Sequence, residues 1–461
     1  MKSTRARSFM VLIMTLVFFA GLAYYSVNLI MHSAEWSSMP MNAHISDKDG
    51  LAFAGTIYDR NHVILAQSID KKRVYNDDEQ IRKACLHIVG DDSTNISTAV
   101  QTIYRSELTD FNFIHGLGAP DILKQGRDII LTIDSELQKT ALEALGDSKG
   151  AMVCYDYKTG EILCMVSTPT YDPVSVPEDI ETNGKYDGAY LNRAISVCYP
   201  PGSTFKLVTA SAALAEYPDA EKFTYECKGR EVIGDKEVVC YTTSGEVDLK
   251  NALADSCNIY FGHLALYLGK DKMTEYAEKA GFNRYMMIDR AQSERSFYNV
   301  ENASDNELAW SGVGQYTVLE TPINMARISA AIANGGVPVK PYFMKYIEGT
   351  LGISGTEGKT ELDERIMEKD IAETLRKLMD YTVSKSYGKD YVSRKLDICG
   401  KTGTAEIDGA PAHAWFTGFS TNEECPIAFA VIIENGDSGY NVAIPAARAM
   451  IDKAAEIYKT Q

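Results

Sequence analysis

The chain of 461 residues carries 63 acidic against 46 basic side chains, a formal net charge of −17, and 45% of its residues are hydrophobic. That balance excludes a broad basic surface for nucleic acid or anionic lipid, and the acidic excess serves solubility. The length allows one small and one large domain after an N-terminal anchor.

Lys2, Arg5 and Arg7 precede an uncharged apolar run from Phe9 to Ile30, long enough for the ~20 residues that cross a bilayer. The basic flank favours residues 1–8 in the cytoplasm and the rest outside. A cleaved signal peptide has an apolar core of about 7–15 residues and an A-x-A-like site. Neither is present, so residues 9–30 are expected to form a single-pass anchor. Residues 31–128 are mixed and polar with strand-like pieces, carry no motif for chemistry, and hold expected loops at residues 91–95 and 116–120. From 129 to 461 helical and strand patterns alternate, which periodicity supports only as mixed α/β. Lys158-Thr159-Gly160, between two apolar runs, predicts a hairpin turn with glycine at the tight position.

Tyr199-Pro200-Pro201-Gly202 leads into Ser203-Thr204-Phe205-Lys206 and an Ala-rich run through Ala215. Prolines and a glycine before an apolar stretch mark a helix start. Residues three apart share a helix face, which predicts Lys206 beside the Ser203 hydroxyl, and a helix N-terminus favours negative charge developing there. Serine is a poor nucleophile without a base in reach. Lysine titrates near ~10.4 in water, so a neutral amine at pH 7 needs a shift worth roughly 4–5 kcal/mol, which burial and a second cation such as Lys401 would supply. S-x-x-K arises by chance roughly once or twice in a chain of this length. Ser68-Ile69-Asp70-Lys71 and Ser386-Tyr387-Gly388-Lys389 also fit the pattern, in polar surroundings with no buried helix behind them, and are expected to be surface matches.

Ser256 and Asn258 stand between the apolar runs Ala252–Ala254 and Ile259–Phe261, at the margin of a core. Buried polar groups need partners; a proton relay would supply them, and so would a cap or turn. Ser304-Asp305-Asn306 lies in a polar stretch and predicts a loop followed by a helix cap. Lys401-Thr402-Gly403-Thr404 follows a β-rich approach and suits a strand edge. There Lys401 and the hydroxyls of Thr402 and Thr404 could hold a carboxylate, with Gly403 leaving room for it.

Nine cysteines leave at least one unpaired. Cys227 and Cys240 bracket a hairpin-like segment and could close a small loop worth up to ~3 kcal/mol, whereas Cys154, Cys164, Cys198, Cys257 and Cys399 sit in apolar runs and are expected to be reduced. No histidine signature or CxxC pair points to a metal, and no cofactor is expected.

Taken in order, Ser203-x-x-Lys206, Ser256-x-Asn258 and Lys401-Thr402-Gly403 resemble the motifs of serine β-lactamases and penicillin-binding proteins. Over nearly its whole length the chain is similar to the class B penicillin-binding proteins, the monofunctional peptidoglycan transpeptidases. Gly55 to Asn61, with Leu65 and Ala66, resembles the family's N-terminal box, although Ala54 stands where an arginine is usual. Leu131 to Gln138 is similar to the helix that opens its transpeptidase domain, and Gly160 to Ile162 and Pro169 to Pro173 to the hairpin and turn after it. Gly314-Gln315 and Thr321 to Ala326, ending at Gly336, resemble the helix after the second motif, with Tyr316 where a glycine is often found.

The resemblance implies an α/β transpeptidase domain over 129–461, a mainly antiparallel sheet flanked by helices, on a small β-rich pedestal over 31–128. It leaves no room for the glycosyltransferase domain of bifunctional relatives. It also implies that Ser203 attacks the D-Ala-D-Ala carbonyl of a stem peptide, with Lys206 as base. Ser256 and Asn258 would relay protons, Lys401, Thr402 and Thr404 would bind the terminal carboxylate, and the N–H groups of Ser203 and Thr404 would form an oxyanion hole, each worth roughly 3–4 kcal/mol. A neighbouring strand's amine would resolve the ester, and β-lactams would leave one that is slow to release. A lipid-linked glycosyltransferase and division or elongation proteins are the partners implied. Hydrolysis of the same ester, by a carboxypeptidase or β-lactamase, is the second expectation; a β-lactam sensor or scaffold is the third.

Overall fold

The computed structural model describes residues 2–38, 50–109, 126–349 and 355–460. In chain order it holds α1 (Lys2–Ser38), β1 (Ile57–Tyr58), β2 (Ile64–Ile69), β3 (Lys72–Tyr75), α2 (Glu79–Val89), β4 (Ile129–Leu131), α3 (Ser135–Leu145), β5 (Gly150–Asp156) and β6 (Ile162–Thr168). There follow α4 (Lys206–Glu216), β7 (Arg230–Ile233), β8 (Lys236–Val239), α5 (Leu249–Ala254), α6 (Asn258–Lys279), α7 (Asp305–Ser311) and α8 (Pro322–Ala333). The last are β9 (Met344–Ile347), β10 (Thr356–Glu357), α9 (Lys369–Thr382), β11 (Ile398–Ile407), β12 (Ala410–Ser420), β13 (Ile427–Ile433) and α10 (Ile444–Thr460). The loop expected at 116–120 lies outside the described residues.

Within α1, the 25-residue span Thr4–Asn28 has a mean hydropathy of 2.1 in its most apolar window, and none of that window is buried. At 1.5 Å per residue such a helix reaches roughly 37 Å, enough for a hydrocarbon core of about 30 Å. It fits a membrane anchor.

A six-stranded sheet in the order β10-β9-β4-β1-β2-β3 forms the part nearest the anchor in sequence. Three of its strands, β4, β9 and β10, come from beyond residue 128, so this sheet crosses the division expected between 128 and 129. The N-terminal box acts as a brace. Fully buried Asp59 accepts hydrogen bonds from the backbone N–H groups of Asn61 and Val63 and from the N–H and hydroxyl of Ser135. Asn61 in turn donates to Asp134, whose carboxylate caps the first turn of α3. One buried carboxylate thus ties the small sheet to the helix that opens the larger unit, and its burial is tolerable because four donors replace water.

The larger unit is built on an antiparallel five-stranded sheet, β11-β12-β13-β5-β6. Alternate residues of its strands face opposite cores. Met152 and Cys154 pack with Leu137, Ala141, Met450 and Ile451 of α3 and α10. Ala151, Val153 and Tyr155 pack on the other face, with residues of α4, α6 and α8. Both faces are covered, which is why β5 reads as a continuous apolar run. Only β6 and β11 are edges, and β11 carries Lys401.

Candidate active site

The nucleophile candidate lies on a tight turn, not on the regular helix. Gly202–Thr204 form a 3-10 turn that runs into α4, whose residues Lys206 to Ala213 are all buried, while Ser203 is half-buried. The alanines of α4 let neighbouring helices approach closely and enclose Lys206, which is 0% exposed. Gly202 has φ +54, and a side chain there would lie 2.8 Å from the Thr404 carbonyl oxygen. Only glycine fits this left-handed, crowded position. The turn carrying Ser203 is thereby seated against the edge strand β11 at Thr404.

The second motif is a junction between helices. Ser256 lies between α5 and α6 at φ +54, a conformation rare outside glycine. This turns its carbonyl oxygen onto Lys206 Nζ at 2.7 Å. Lys206 also donates to Ser256 Oγ at 3.2 Å and Asn258 Oδ1 at 2.7 Å. Asn258 is held from its other side, its amide donating to the Val239 carbonyl of β8 at 2.7 Å. From the opposite wall Lys401, also 0% exposed, donates to Ser256 Oγ at 3.1 Å and to the Thr402 carbonyl at 2.8 Å.

Burial dominates the electrostatics of both lysines. It lowers Lys206 to about 8, opposed by Cys257 and Cys240. Lys401 is pushed well below its ordinary value, by burial first and by the Lys206 charge second. The repulsion foreseen between the two belongs to the pair, since both cations donate to the same Ser256 oxygen.

On β11 the side chains alternate: Lys401, Gly403 and Ala405 are buried, and Thr402 and Thr404 are half-exposed on the other face. Thr402 N–H donates to the Tyr387 phenol at 3.0 Å, away from β12. In an antiparallel ladder residues two apart point their N–H groups the same way, so the Thr404 N–H also faces the open edge where the Ser203 turn sits. Gly403 serves a different purpose from the one expected. The space a side chain would take lies 2.6 Å from the Pro201 carbonyl oxygen and 3.1 Å from Thr204, so glycine admits the nucleophile turn and not a ligand.

The rival motif copies lie elsewhere. Lys158-Thr159-Gly160 is the β5–β6 turn, its first two N–H groups held by Asp156. Ser304 caps α7 in a reciprocal box with Glu307. Ser68 lies on β2 and Lys71 in the turn after it, a geometry that shares no helix face. Ser386 departs from expectation: it is half-buried at the wide helical turn after α9, and its hydroxyl donates to the Ala254 carbonyl beside the second motif. Lys389 is exposed and paired with Asp380 and Asp397.

Cys227, Cys240 and Cys257 form a group that their sequence separations conceal. Cys240 Sγ is 3.7 Å from both Cys227 Sγ and Cys257 Sγ, and none is in a disulfide. Cys227 and Cys240, which could close a loop, here belong to a three-thiol cluster that includes the middle residue of the second motif. All three sulfurs lie within 4.8 Å of one another, close enough to share a soft metal ion. The N–H groups of Asn258 and Ile259, at the start of α6, donate to Cys240 Sγ at 3.1 and 3.3 Å. The Cys257 thiol first, and the Ile259 N–H after it, pull Cys240 below the ordinary thiol value against its burial, and Cys257 is raised in turn.

The model of the penicillin-binding protein transpeptidase domain matches residues 150–452, the span that holds Ser203, Lys206, Ser256, Asn258 and Lys401. The peptidoglycan D,D-transpeptidase PbpA of Mycolicibacterium smegmatis is 30% identical over 361 residues, covering 72% of this chain and 73% of that protein. The peptidoglycan D,D-transpeptidase MrdA of Acinetobacter baumannii is 27% identical over 373 residues, covering 72% of this chain and 54% of that one. Among solved structures, penicillin-binding protein A of Mycobacterium tuberculosis as a ceftriaxone acyl-enzyme superposes with TM-score 0.78 at 27% identity, over 88% of this chain and 99% of that one. The D,D-transpeptidase domain of a peptidoglycan glycosyltransferase from Eggerthella lenta gives the same TM-score, identity and coverage. The chain belongs to the penicillin-binding protein transpeptidase family, as a class B member.

Proposed function

We propose that the chain is a membrane-anchored peptidoglycan D,D-transpeptidase working through an acyl-enzyme on Ser203. The observation that carries this reading is the convergence of Lys206 and Lys401 on Ser256 Oγ beside the turn of Ser203. As an ammonium, Lys206 has all three protons engaged by Ser256 and Asn258. Once neutral it has a lone pair to take the Ser203 proton. The serine oxygen then bonds to the carbonyl of the penultimate D-Ala, and the N–H groups of Ser203 and Thr404 hold the oxyanion. The C–N bond to the terminal D-Ala breaks, and the leaving amine receives a proton through Ser256. An amine of a neighbouring stem peptide attacks the ester carbonyl, the ester C–O bond breaks, and the amine's proton passes through Lys206 to the Ser203 oxygen, which restores the hydroxyl and the neutral lysine. The hydroxyls of Thr402 and Thr404, on the half-exposed face of β11, bind the terminal carboxylate of the donor, with Lys401 reaching the site from the strand's other face. A β-lactam opens its ring on the same oxygen.

Outside the membrane, α1 would hold residues from 31 onward near the wall, with a lipid-linked glycosyltransferase and division or elongation proteins as partners. The test is penicillin incubation of the full chain in detergent, followed by peptide mass spectrometry. A long-lived penicilloyl ester on Ser203, absent in Ser203→Ala, is expected. An ester that turns over rapidly would make the protein a hydrolase. No adduct on folded protein would end the Ser203 mechanism.

A further inference from the structure

Tyr387 has no place in the three motifs, yet its phenol oxygen makes two contacts to one motif residue. It accepts from the Thr402 backbone N–H at 3.0 Å and lies 2.8 Å from Thr402 Oγ1. The ring is buried, with an edge-on contact to Phe416 and a tilted one to Tyr440. Tyr387 follows α9 in a wide helical turn that ends at Gly388.

A protonated phenol must place its hydrogen, and a buried one cannot give it to bulk water. Burial raises this phenol, so it keeps its proton. Among the described residues the acceptor within reach is Thr402 Oγ1. If Tyr387 donates to that oxygen, the Thr402 hydroxyl hydrogen must turn elsewhere. Thr402 is half-exposed on the face of β11 that it shares with Thr404, so its hydrogen is left for a ligand that reaches that face. A hydroxyl locked this way is a donor, and the group it suits is one that only accepts: an ionised carboxylate.

We infer that Tyr387 is a positioning residue for carboxylate recognition, fixing the Thr402 hydroxyl as a hydrogen-bond donor to the free carboxylate of the donor peptide. This rests on the transpeptidase reading above. It makes selectivity for a free acid over its ester depend on a residue that does not touch the ligand. A charge attracts an anion without fixing its orientation, whereas the Tyr387–Thr402 pair adds direction.

The experiment compares Ser203 acylation of the full chain in detergent by benzylpenicillin and by its methyl ester, which lacks the anion. In Tyr387→Phe the second-order acylation constant for the acid is expected to fall about tenfold, as for one lost charge-assisted hydrogen bond, with the constant for the ester unchanged. Thr402→Val should lose the acid preference to the same degree, and adding Tyr387→Phe to it should cost nothing more. Retention of the full acid-to-ester ratio in either single variant overturns the inference, as does an equal loss for both compounds, which would make Tyr387 a packing residue. Failure of the native chain to be acylated by either compound would instead sink the Ser203 reading, a separate result.

Discussion

Lys206 and Lys401 meet on one oxygen: Ser256 Oγ accepts from both, at 3.2 and 3.1 Å. Two buried ammonium groups sharing one neutral acceptor are poorly solvated and repel each other, so the pair favours losing a proton. The hydroxyl between them offers the path by which that proton moves, which gives this serine a role that a simple helix cap would not have.

A pH profile follows from that pair. Lys206 is lowered to about 8, chiefly by burial. At pH 7 about a tenth of it is neutral and competent as a base. Acylation of the free enzyme by benzylpenicillin is expected to rise about tenfold from pH 7 and level off above pH 8–9. The same shift makes folding favour the neutral amine. Between about 8 and the ordinary lysine value the unfolded chain binds more protons, so this group's contribution to stability increases as pH rises through that window. A profile flat from pH 6 to 9 would remove Lys206 as the base.

Cys240 is expected to matter to the site through hydrogen bonds. It accepts the first two N–H groups of α6, and the first of these belongs to Asn258, which fixes Lys206. Cys240→Ala leaves both donors without a partner at a buried place, a cost of about 1–3 kcal/mol. Cys227→Ala removes a neighbouring sulfur and no such acceptor. Urea melts and acylation rates should both rank Cys240→Ala below Cys227→Ala, with Cys240→Ser recovering part of the loss. Equal effects for the two alanine variants would show that the cluster only fills space.

Much of the site was legible because its chemistry is local in sequence: a serine one turn before a buried lysine, a Ser-x-Asn between apolar runs, a lysine on a β-rich approach. Choosing among the copies worked where polar surroundings marked surface structure, as at Ser304 and Lys158. It did less well at Ser386, where a polar stretch folds against the second motif. What stayed hidden depends on contacts between distant segments: the third thiol of the cysteine group, the phenol of Tyr387 on Thr402, and the use of Gly403 by the Pro201 turn. Likewise no periodicity shows that strands near residues 129 and 344 would complete the small sheet.

Tyr316 takes a backbone conformation that favours glycine. It stands where the family often has glycine, and the backbone keeps a glycine-like φ of +65 with the ring 45% exposed. A non-glycine residue in that region costs roughly 1–2 kcal/mol, offset in part by the entropy that glycine loses on folding, roughly 0.5–1 kcal/mol. Tyr316→Gly should therefore stabilise the chain by about 0.5–1 kcal/mol, and Tyr316→Ala should not. Denaturant midpoints of the two variants decide it, and a destabilised glycine variant would mean that the ring makes contacts worth more than the strain.

Glu320 couples pH to the segment that leads into the nucleophile turn. Its backbone exchanges hydrogen bonds with Tyr199, at 2.8 and 2.9 Å, four residues before Ser203. Its carboxyl is fully buried; Oε1 accepts from Asn324 at 3.1 Å, and Oε2 has no hydrogen-bond partner among the described residues. Burial raises this acid well above its ordinary value. In the window above about 4.5 the folded chain therefore holds a proton that the unfolded chain releases, so the contribution of Glu320 to stability is lost as pH rises. The slope is at most about 1.4 kcal/mol per pH unit within that window. Glu320→Gln keeps the shape and cannot ionise. Its melting temperature should match the native chain near pH 5 and exceed it by a growing margin toward pH 8, with other titrating groups cancelling in the difference. A margin that stays constant across that range would show that Glu320 is ionised in the fold and has a partner for its charge.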